Sequence, residues 1–531
     1  MTAAAAASLH KDRGGARLFE RVLIANRGEI AVRIIRACRE LGIETVAVHS
    51  DADVDALHVR LADRSVRLGP APATESYLAA DAIVAAAQAT GAQAIHPGYG
   101  FLAERASFAR AAEEAGIVFV GPSSATIENL GDKIAARRSA AAADVPILPG
   151  TLEAFAVDQP GATEAILAAA DGIGFPLLVK AAAGGGGRGM RRVTGPDELP
   201  GALAAGAAEA LAAFGDGAVY LEREISPARH IEVQLLGDDQ GEIVAIGERD
   251  CSLQRRHQKL VEEAPAPNLS EDERRGLHAS AVRAARAVGL VNAATAEFLF
   301  DADRRFWFLE VNTRLQVEHG VTELVSDVDI VREQLWIAAG YPLSRRVLDA
   351  AGAAARPTRH AIEVRLSAED PARSFAPAPG TIDRWEMPSG PGIRVDTAVE
   401  AGSRVAPDYD PLIAKIMIVD ETRPAAIDRL ARALAETTIS GIQTTLPFHR
   451  FVATDAGFRS GPLSIDWVDG NWATIGEGLR RTALATAREL ASAAVGGGVE
   501  QERGAPAPAT RDAGDAWSRA GRAAAVERWP R

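Results

Sequence analysis

A lysine followed by a run of glycines is the first feature of this sequence that could do chemistry. Lys180 ends an apolar, strand-like run, and five glycines follow it by residue 189. Glycine lets backbone N–H groups approach a ligand closely, so such a loop can wrap phosphate oxygens while the lysine adds a positive charge. The lysine precedes the glycines, which is not the order of a P-loop. Taken alone, the segment predicts either a phosphate-binding loop or a flexible linker.

Two glutamates on a predicted hairpin are the clearest metal-ligand candidates. Residues 295–300 and 306–311 flank a polar turn, and folding about residue 303 or 304 places Glu297 across from Leu309 or Glu310. The two-residue period of a strand then puts Glu310 and Asn312 on one face. Two carboxylates and an amide oxygen suit Mg²⁺ or Mn²⁺, which bridge protein carboxylates to nucleotide phosphates. The alternative is a pair of solvated surface glutamates.

Two polar runs could supply further site residues. In residues 312–319, Arg314 and Gln316 can hold a small oxyanion, and Glu318 is placed to act as a base. Residues 248–259 are polar throughout, lie between predicted strands and resemble a loop that lines a site. A solvated loop and an amphipathic surface turn are the respective alternatives.

The elements that would position these residues have α/β character. Apolar runs alternate with helical periodicity from about residue 19 to 120, which predicts a doubly wound parallel sheet. The first turn, at residues 26–29, lacks the Gly-x-Gly-x-x-Gly pattern, which argues against dinucleotide binding. A helical stretch at 123–143 leads to a smaller region at 152–224, and residues 225–470 are richer in strands.

Composition narrows the functional class. A chain of 531 residues predicts two to four domains, and its net charge of −13 argues against general nucleic-acid binding. Two cysteines make a disulfide framework improbable and favour a cytoplasmic location. No apolar run is long enough for a membrane span. Residues 1–18 are interpreted as a disordered leader, and residues 476–531 as a helical segment with a flexible tail.

Several long motifs together resemble one family, the biotin carboxylase component of biotin-dependent carboxylases, a branch of the ATP-grasp proteins. They cover about residues 19–470 in family order: IANRGE at 24–29, AIHPGYGF at 94–101, GDK at 131–133, the glycine loop at 184–190, ERDCSLQRRHQK at 248–259, EEAPAP at 262–267, EVNTRLQVEH at 310–319, and residues 360–371. The resemblance implies an α/β ATP-grasp fold. A Rossmann-like doubly wound (pre-ATP-grasp) domain would span 19–130, the ATP-grasp domain 131–341 with a glycine-lid subdomain at 152–224, and a C-terminal biotin carboxylase domain 342–475.

The resemblance also implies a role for each matching residue. The implied ATP-binding residues are Lys133, Lys180, the lid glycines Gly184, Gly185, Gly186 and Gly187, Glu222, Arg223, Ile225, His230, Gln254, His257 and Leu299. Glu222 and the backbone at Arg223 and Ile225 would bind adenine. The implied metal ligands are Glu297, Glu310 and Asn312. Bicarbonate would be held by Lys259, Arg314, Gln316 and Val317, Glu318 would take its proton, and Arg365 would stabilise the enolate-like form of biotin.

The implied reaction is the first half-reaction of an acyl-CoA-type carboxylase, a ligase reaction in which ATP and bicarbonate carboxylate biotin by way of carboxyphosphate. The cofactors would be ATP and Mg²⁺ or Mn²⁺. Biotin would come in trans on a biotin carboxyl carrier protein, because none of the four methionines lies in a Met-Lys-Met acceptor. A carboxyltransferase subunit would carboxylate the acceptor, and the chain would form a homodimer.

Gly320, at a position where acyl-CoA-type relatives usually have proline, leaves the acceptor open among acyl-CoAs, pyruvate and urea. Two other functions remain as alternatives: another ATP-grasp ligase, such as a carbamoyl-phosphate-forming enzyme, and a catalytically silent scaffold. The QRRHQK segment and Arg365 favour biotin over the former, and the retained motif residues oppose the latter.

Overall fold

The computed structural model describes residues 18–157, 159, 161–182, 190–481 and 488. The described residues up to Leu479 belong to one compact unit, and those from Arg480 onward belong to a second. Residues 1–17 of the leader expected at 1–18, the four lid glycines 184–187 and most of the expected tail lie outside the described residues. Among the residues described, no helix is long and apolar enough to cross a bilayer.

The first region is a five-stranded parallel sheet, as the alternating pattern predicts. Its strands and helices are β1 Arg21–Ile24, α1 Gly28–Glu40, β2 Glu44–Ser50, α2 Leu57–Leu61, β3 Arg64–Gly69, α3 Ala80–Thr90, β4 Ala94–His96, α4 Ala106–Glu114 and β5 Val118–Phe119. The strand order is β3-β2-β1-β4-β5, so the order reverses between β1 and β4. The IANRGE and HPGYGF motifs follow these two strands, and their loops therefore lie at the edge where doubly wound sheets bind ligands.

A smaller region carries the lysine that precedes the glycines. Two helices, α5 Ser124–Gly131 and α6 Lys133–Ala142, lead into it, and its own elements are α7 Ala162–Ile173, β6 Leu177–Ala181, β7 Arg191–Val193, α8 Leu199–Phe214 and β8 Val219–Arg223. The three strands form an antiparallel sheet in the order β7-β6-β8. Strand β6 delivers Lys180 at the point where the glycine run begins.

The largest element is an eight-stranded antiparallel sheet with the order β13-β12-β9-β10-β11-β14-β21-β19. The remaining elements, in chain order, are β9 Ala228–Gly237, β10 Ile243–Arg255, β11 Gln258–Ala264, α9 Glu271–Ala287, β12 Asn292–Asp301, β13 Phe306–Asn312, α10 His319–Ser326, α11 Ile330–Ala338, α12 Arg345–Ala353, β14 His360–Ser367, β15 Glu369–Asp370, β16 Ala376–Pro377, β17 Gly380–Thr381, β18 Arg384–Glu386, β19 Ile393–Thr397, β20 Arg404–Val405, β21 Leu412–Asp420, α13 Arg423–Glu436, β22 Thr438–Ser440, α14 Leu446–Thr454, α15 Ala456–Ser460 and α16 Trp467–Gly470.

Strand alternation gives this sheet two chemically different faces. On what we call the back face, aliphatic and aromatic side chains of β9, β12, β14 and β21 form two hydrophobic cores, which are covered by α9 and α13. On the opposite face, the front face, the intervening residues of the same strands include a group of ionisable side chains: His230, Glu232, Glu297, Glu363, Arg365 and Lys415. The front face is the surface on which the predicted site residues converge.

One secondary-structure prediction is wrong. Residues 248–259 were expected to form a loop, but β10 continues to Arg255 and β11 begins at Gln258, so only Arg256 and His257 turn the chain. The run is polar because both faces of β10 are polar here. Arg249 lies buried on the front face, while Glu248 is paired on the back face by Arg274 and His278 of α9. A strand whose two faces both carry ion pairs has no hydrophobic alternation to reveal it.

Candidate active site

Lys259 lies at the centre of the front face. Its Nζ is 2.6 Å from Glu232, 2.6 Å from Glu318 and 3.2 Å from Glu297, so one ammonium joins carboxylates from β9, β12 and the loop after β13. Burial lowers the pKa of Lys259, but the three carboxylates outweigh burial and raise it well above its ordinary value. The lysine is therefore a fixed cation, suited to holding a small anion.

Glu318 is the carboxylate that the sequence marks as a base, and it is completely buried. Its second oxygen is 2.9 Å from Nη2 of Arg365, whose Nε donates to Glu262 at 2.6 Å. Burial raises the pKa of Glu318, but Lys259, Arg365 and Arg249 together lower it well below its ordinary value. Glu318 is thus ionised and held between the two cations predicted to contact bicarbonate and biotin.

The polar run after β13 folds over the same face. Arg314 donates to Gln316 at 2.6 Å and to Asn312 at 3.1 Å, and its Nε is 2.9 Å from Glu104 of the first region. Gln316 donates in turn to Glu297 at 3.1 Å. The predicted oxyanion-binding side chains are therefore brought together and connected to the central cluster.

The predicted metal ligands lie side by side. Glu297 and Glu310 are cross-strand partners in the β12–β13 register, and Asn312 follows on the same face of β13. Burial and the Glu297 charge both raise the pKa of Glu310, and within the described part of the chain Glu310 has no hydrogen bond or ion pair with another side chain. A buried carboxylate that lies beside a second carboxylate, and has no ion pair of its own in the described part of the chain, fits an oxygen-preferring divalent metal.

A second cluster of possible ligands does not fit a metal as well. Atoms of His230, Glu232 and Glu297 lie within 4.8 Å of one another. Glu232, however, already accepts hydrogen bonds from Arg249 and Lys259, and His230 Nε2 is 2.9 Å from Glu297. Protein cations thus neutralise this group, whereas Glu310 remains available.

The predicted ATP-phosphate lysine is held by a carboxylate of the neighbouring strand. Lys180 on β6 and Arg137 on α6 both form ion pairs with Glu222 on β8, and the Glu222 side chain is only 2% exposed. Glu222 was predicted to bind adenine; its carboxylate is already engaged, so only its main chain is left for that contact. The structure thus gives this side chain a further task, which is to hold Lys180.

The other predicted nucleotide-binding residues lie on or beside several elements, which are β8, β9, β10, β12, the β10–β11 turn and α6. Leu299 lies opposite His230 in the β12–β9 register, and Gln254 lies opposite Lys259 across the β10–β11 hairpin. His257 occupies the hairpin turn. Partial burial of the ring is the largest cause that lowers the pKa of His257, and the charge of Lys180 lowers it further. Lys133 opens α6, and its charge acts on Glu310. Arg223 ends β8, and Ile225 follows it.

Sequence reasoning missed several residues of this site. Glu232, Glu262 and Glu363 are buried front-face residues that alternation along their strands could have indicated, whereas Arg249 lies on the polar part of β10, where no such alternation exists. Ile465 is different, because it is distant in sequence. Its N–H donates to the Ala228 carbonyl at 2.9 Å, and the next residue, Asp466, accepts from Ser226, so this segment borders the predicted adenine-binding backbone. No local pattern signals such a contact.

Comparisons with known proteins identify the family of this chain. Three family models match the chain. The model of the "Biotin carboxylase, N-terminal domain" matches residues 18–127, and that of the "Carbamoyl-phosphate synthase L chain, ATP binding domain" matches residues 132–346. The model of the "Biotin carboxylase C-terminal domain" matches residues 363–470. A biotin carboxylase of Haemophilus influenzae is 47% identical over 452 residues, which cover 85% of this chain and 98% of that protein.

Two solved structures have the same fold over most of the chain. A Campylobacter jejuni biotin carboxylase described as a β-γ-ATP complex has a TM-score of 0.81 and 42% identity, covering 85% of this chain and 98% of that one. The biotin carboxylase domain dimer of Hydrogenobacter thermophilus 2-oxoglutarate carboxylase, in complex with MgADP, ADP and bicarbonate, has a TM-score of 0.81 and 43% identity, covering 87% and 99%. With this agreement in sequence and fold, the chain belongs to the biotin carboxylase family of ATP-grasp enzymes.

Proposed function

We propose that this chain uses ATP and bicarbonate to carboxylate biotin on a separate carrier protein, by way of carboxyphosphate. The observation that carries the proposal is the position of Glu318, a buried carboxylate whose two oxygens contact Lys259 and Arg365. In this position, the cation on one side of the base can bind an anionic substrate, and the cation on the other side can stabilise a substrate that becomes anionic during the reaction. The Glu297–Glu310 pair beside it supplies a place for nucleotide-bound metal.

In the first step, bicarbonate binds to Lys259, Arg314, Gln316 and the main chain of Val317. Glu318 removes its proton, and a bicarbonate oxygen attacks the γ-phosphorus of ATP, so that a P–O bond forms and ADP leaves. Lys133 and Lys180 neutralise phosphate charge, and main-chain atoms of Glu222, Arg223 and Ile225 hold adenine. A divalent metal on Glu297, Glu310 and Asn312 would stabilise charge on the transferring phosphoryl group.

In the second step, the carboxyl group passes from carboxyphosphate to a ureido nitrogen of biotin as the bond between that group and phosphate breaks, and the released phosphate takes the ureido proton. Arg365 stabilises the enolate-like biotin, for which a permanently charged guanidinium is suited. The low pKa of Glu318 in the substrate-free site follows from its contacts with Lys259 and Arg365. When bicarbonate and biotin engage those cations, the pKa of Glu318 rises, and the carboxylate becomes a better base as the substrates arrive.

The protein that carries the biotin determines which partner proteins the reaction needs. The lysine nearest to a biotin-acceptor pattern, Lys415, is 0% exposed within β21 and therefore cannot be reached by a biotin ligase. We propose that a biotin carboxyl carrier protein supplies biotin and that a carboxyltransferase subunit uses the product. We also propose a homodimer, as in the Hydrogenobacter relative.

The test is the reaction itself. With ATP, Mg²⁺, labelled bicarbonate and free biotin, the purified chain should form labelled carboxybiotin and ADP in equal amounts. Intact-mass spectrometry after co-expression with a biotin ligase should show no biotin adduct. ADP formation that depends on ammonia and yields carbamoyl phosphate would instead support the alternative ligase, and absence of any nucleotide turnover would support the silent scaffold.

A further inference from the structure

Lys415 is a buried cation that the mechanism above does not use. It lies on the front face of β21, directly across from Arg365 in the β14–β21 register, and its side chain is completely shielded from solvent. Removing a charged side chain from water is unfavourable, so a buried charge needs partners that compensate for its lost hydration. The identity of these partners indicates what Lys415 does.

Its first partner is the backbone next to the base. The Lys415 ammonium donates to the carbonyl oxygen of Val317 at 2.7 Å. That carbonyl belongs to the peptide unit joining Val317 to Glu318, so a charge-assisted hydrogen bond fixes the orientation of the peptide that carries the base.

Its second partner comes from the other end of the chain. Glu29, in the first turn of α1, is 3.0 Å from the Lys415 ammonium, and it also accepts a hydrogen bond from the hydroxyl of Tyr99. Burial lowers the pKa of Lys415, but Glu29, Glu363 and Asp396 outweigh it and raise the pKa above its ordinary value. The IANRGE and HPGYGF motifs thus each contribute one side chain that keeps Lys415 charged and in place.

A second contact supports the same loop two residues further along β21. Met417 is 0% exposed, and its sulfur lies only 2.2 Å from where a Cβ on Gly320 would be. Because Gly320 has no side chain, the methionine packs directly beneath the first turn of α10. Strand β21 therefore supports residues 317–320 by a polar contact at one end and an apolar contact at the other.

We propose that Lys415 is a positioning residue that sets the place of Glu318 through the Val317 carbonyl, with Glu29 and Tyr99 holding Lys415 and with Met417 supporting Gly320. This inference deepens the proposed function and rests on it, since it assigns the base its structural support. None of these side chains is among the residues proposed above to contact substrate. The arrangement makes the geometry of the base depend on the first region of the chain, where no residue takes part in proton transfer.

The test compares Lys415→Met with Arg423→Met. Arg423, the first residue of α13, also pairs with a buried carboxylate of the sheet, Glu263, but on the back face, so its loss controls for removing the cationic partner of a buried sheet residue. For Lys415→Met we expect kcat for biotin carboxylation to fall about tenfold or more, because small displacements of reacting groups have large effects on rate. KM for bicarbonate should rise and KM for ATP should change less than twofold, and amide hydrogen exchange should accelerate in the peptide covering residues 315–321.

Turnover and exchange at residues 315–321 that match the Arg423→Met variant would overturn the proposal. If Lys415→Met fails to fold because Glu29 is left unpaired, the double variant Glu29→Gln/Lys415→Met removes that charge and should show the same exchange and kinetics. Failure of the double variant to fold would make Lys415 a residue required for folding, and the positioning role would be wrong. Because exchange is measured without turnover, a wild-type chain that does not carboxylate biotin would refute the proposed function while the exchange comparison still decides this inference.

Discussion

Both faces of the eight-stranded sheet bury carboxylates, but among the described residues only the front face includes carboxylates that lack some of their hydrogen bonds. On the back face, each oxygen of Glu248, Asp250 and Glu263 has a partner, supplied by arginine, histidine or serine side chains. On the front face, one oxygen of Glu262 and both oxygens of Glu363 are buried without a hydrogen bond in the described structure. Fully paired groups stabilise a fold, whereas incompletely paired groups leave contacts for substrates, metal or protons to complete.

Adjacent residues of the EEAPAP motif show this difference most clearly. Burial raises the pKa of Glu262 to about 7, and Arg365 offsets it only in part. Burial also opposes ionisation of Glu263, but the contacts with His360 and Arg423 prevail and lower its pKa to about 2. One step along a strand therefore separates a carboxyl group whose pKa is raised to about 7 from one whose pKa is lowered to about 2.

The largest expected effect comes from removing the front-face base. Glu318→Gln should lower kcat for biotin carboxylation by about 10²–10⁴, the usual contribution of a general base. KM for ATP should change little, since the proposed mechanism gives Glu318 no contact with the nucleotide. The back-face control is Glu248→Gln, for which steady-state kinetics should show near-normal kcat. Normal carboxylation by Glu318→Gln would contradict the assignment of the base.

Loss of charge at the nucleotide end should have the next largest effect. Glu310→Gln removes a proposed metal ligand and should lower bicarbonate-dependent ATP turnover by about 10²–10³ while raising the Mg²⁺ concentration needed for half-maximal rate. The exposed glutamate Glu386 on β18 provides the control, Glu386→Gln. An unchanged Mg²⁺ dependence would remove Glu310 from the metal site.

Lys180→Met should produce a loss of the same size, about 10²–10³, because it removes a cation from the phosphates. The variant also frees the Glu222 carboxylate, so Arg137 becomes its only ionic partner among the described residues. Circular dichroism should confirm that the variant is folded. Near-normal turnover at saturating ATP and Mg²⁺ would show that Lys180 is not at the phosphates.

Back-face carboxylates should affect stability rather than rate. Glu263 has a folded-state pKa below its unfolded value, so its contribution of about 3 kcal/mol is present above pH 4.5 and is lost as pH falls toward 2. Chemical denaturation of Glu263→Gln should therefore show a large loss of unfolding free energy at pH 7 and a smaller loss at pH 3. An equal loss at both values would contradict the pairing with Arg423 and His360.

Much of this organisation could be predicted from the sequence. The Glu297–Glu310 pairing followed from the length of a polar turn and the period of a strand, and the five-stranded sheet followed from apolar alternation. Residues 248–259 could not be assigned to strands, because charges paired by α9 and α10 replace the hydrophobic alternation there. The support of Glu318 by Lys415 was also inaccessible, because 98 residues separate Lys415 from Val317 and only the folded sheet brings them together.

The neighbouring residues Glu262 and Glu263 allow the most direct test of the contrast between the faces. Each is replaced by glutamine, and kcat and unfolding free energy are measured for both variants at pH 7 and above. We predict that Glu262→Gln lowers kcat about tenfold, since Arg365 loses a charge-assisted partner, and retains or gains stability above pH 7. Glu263→Gln should lose stability and keep its kcat. The reverse pattern, with Glu262→Gln unstable but active and Glu263→Gln stable but slow, would contradict the division of the sheet into a catalytic face and a stabilising face.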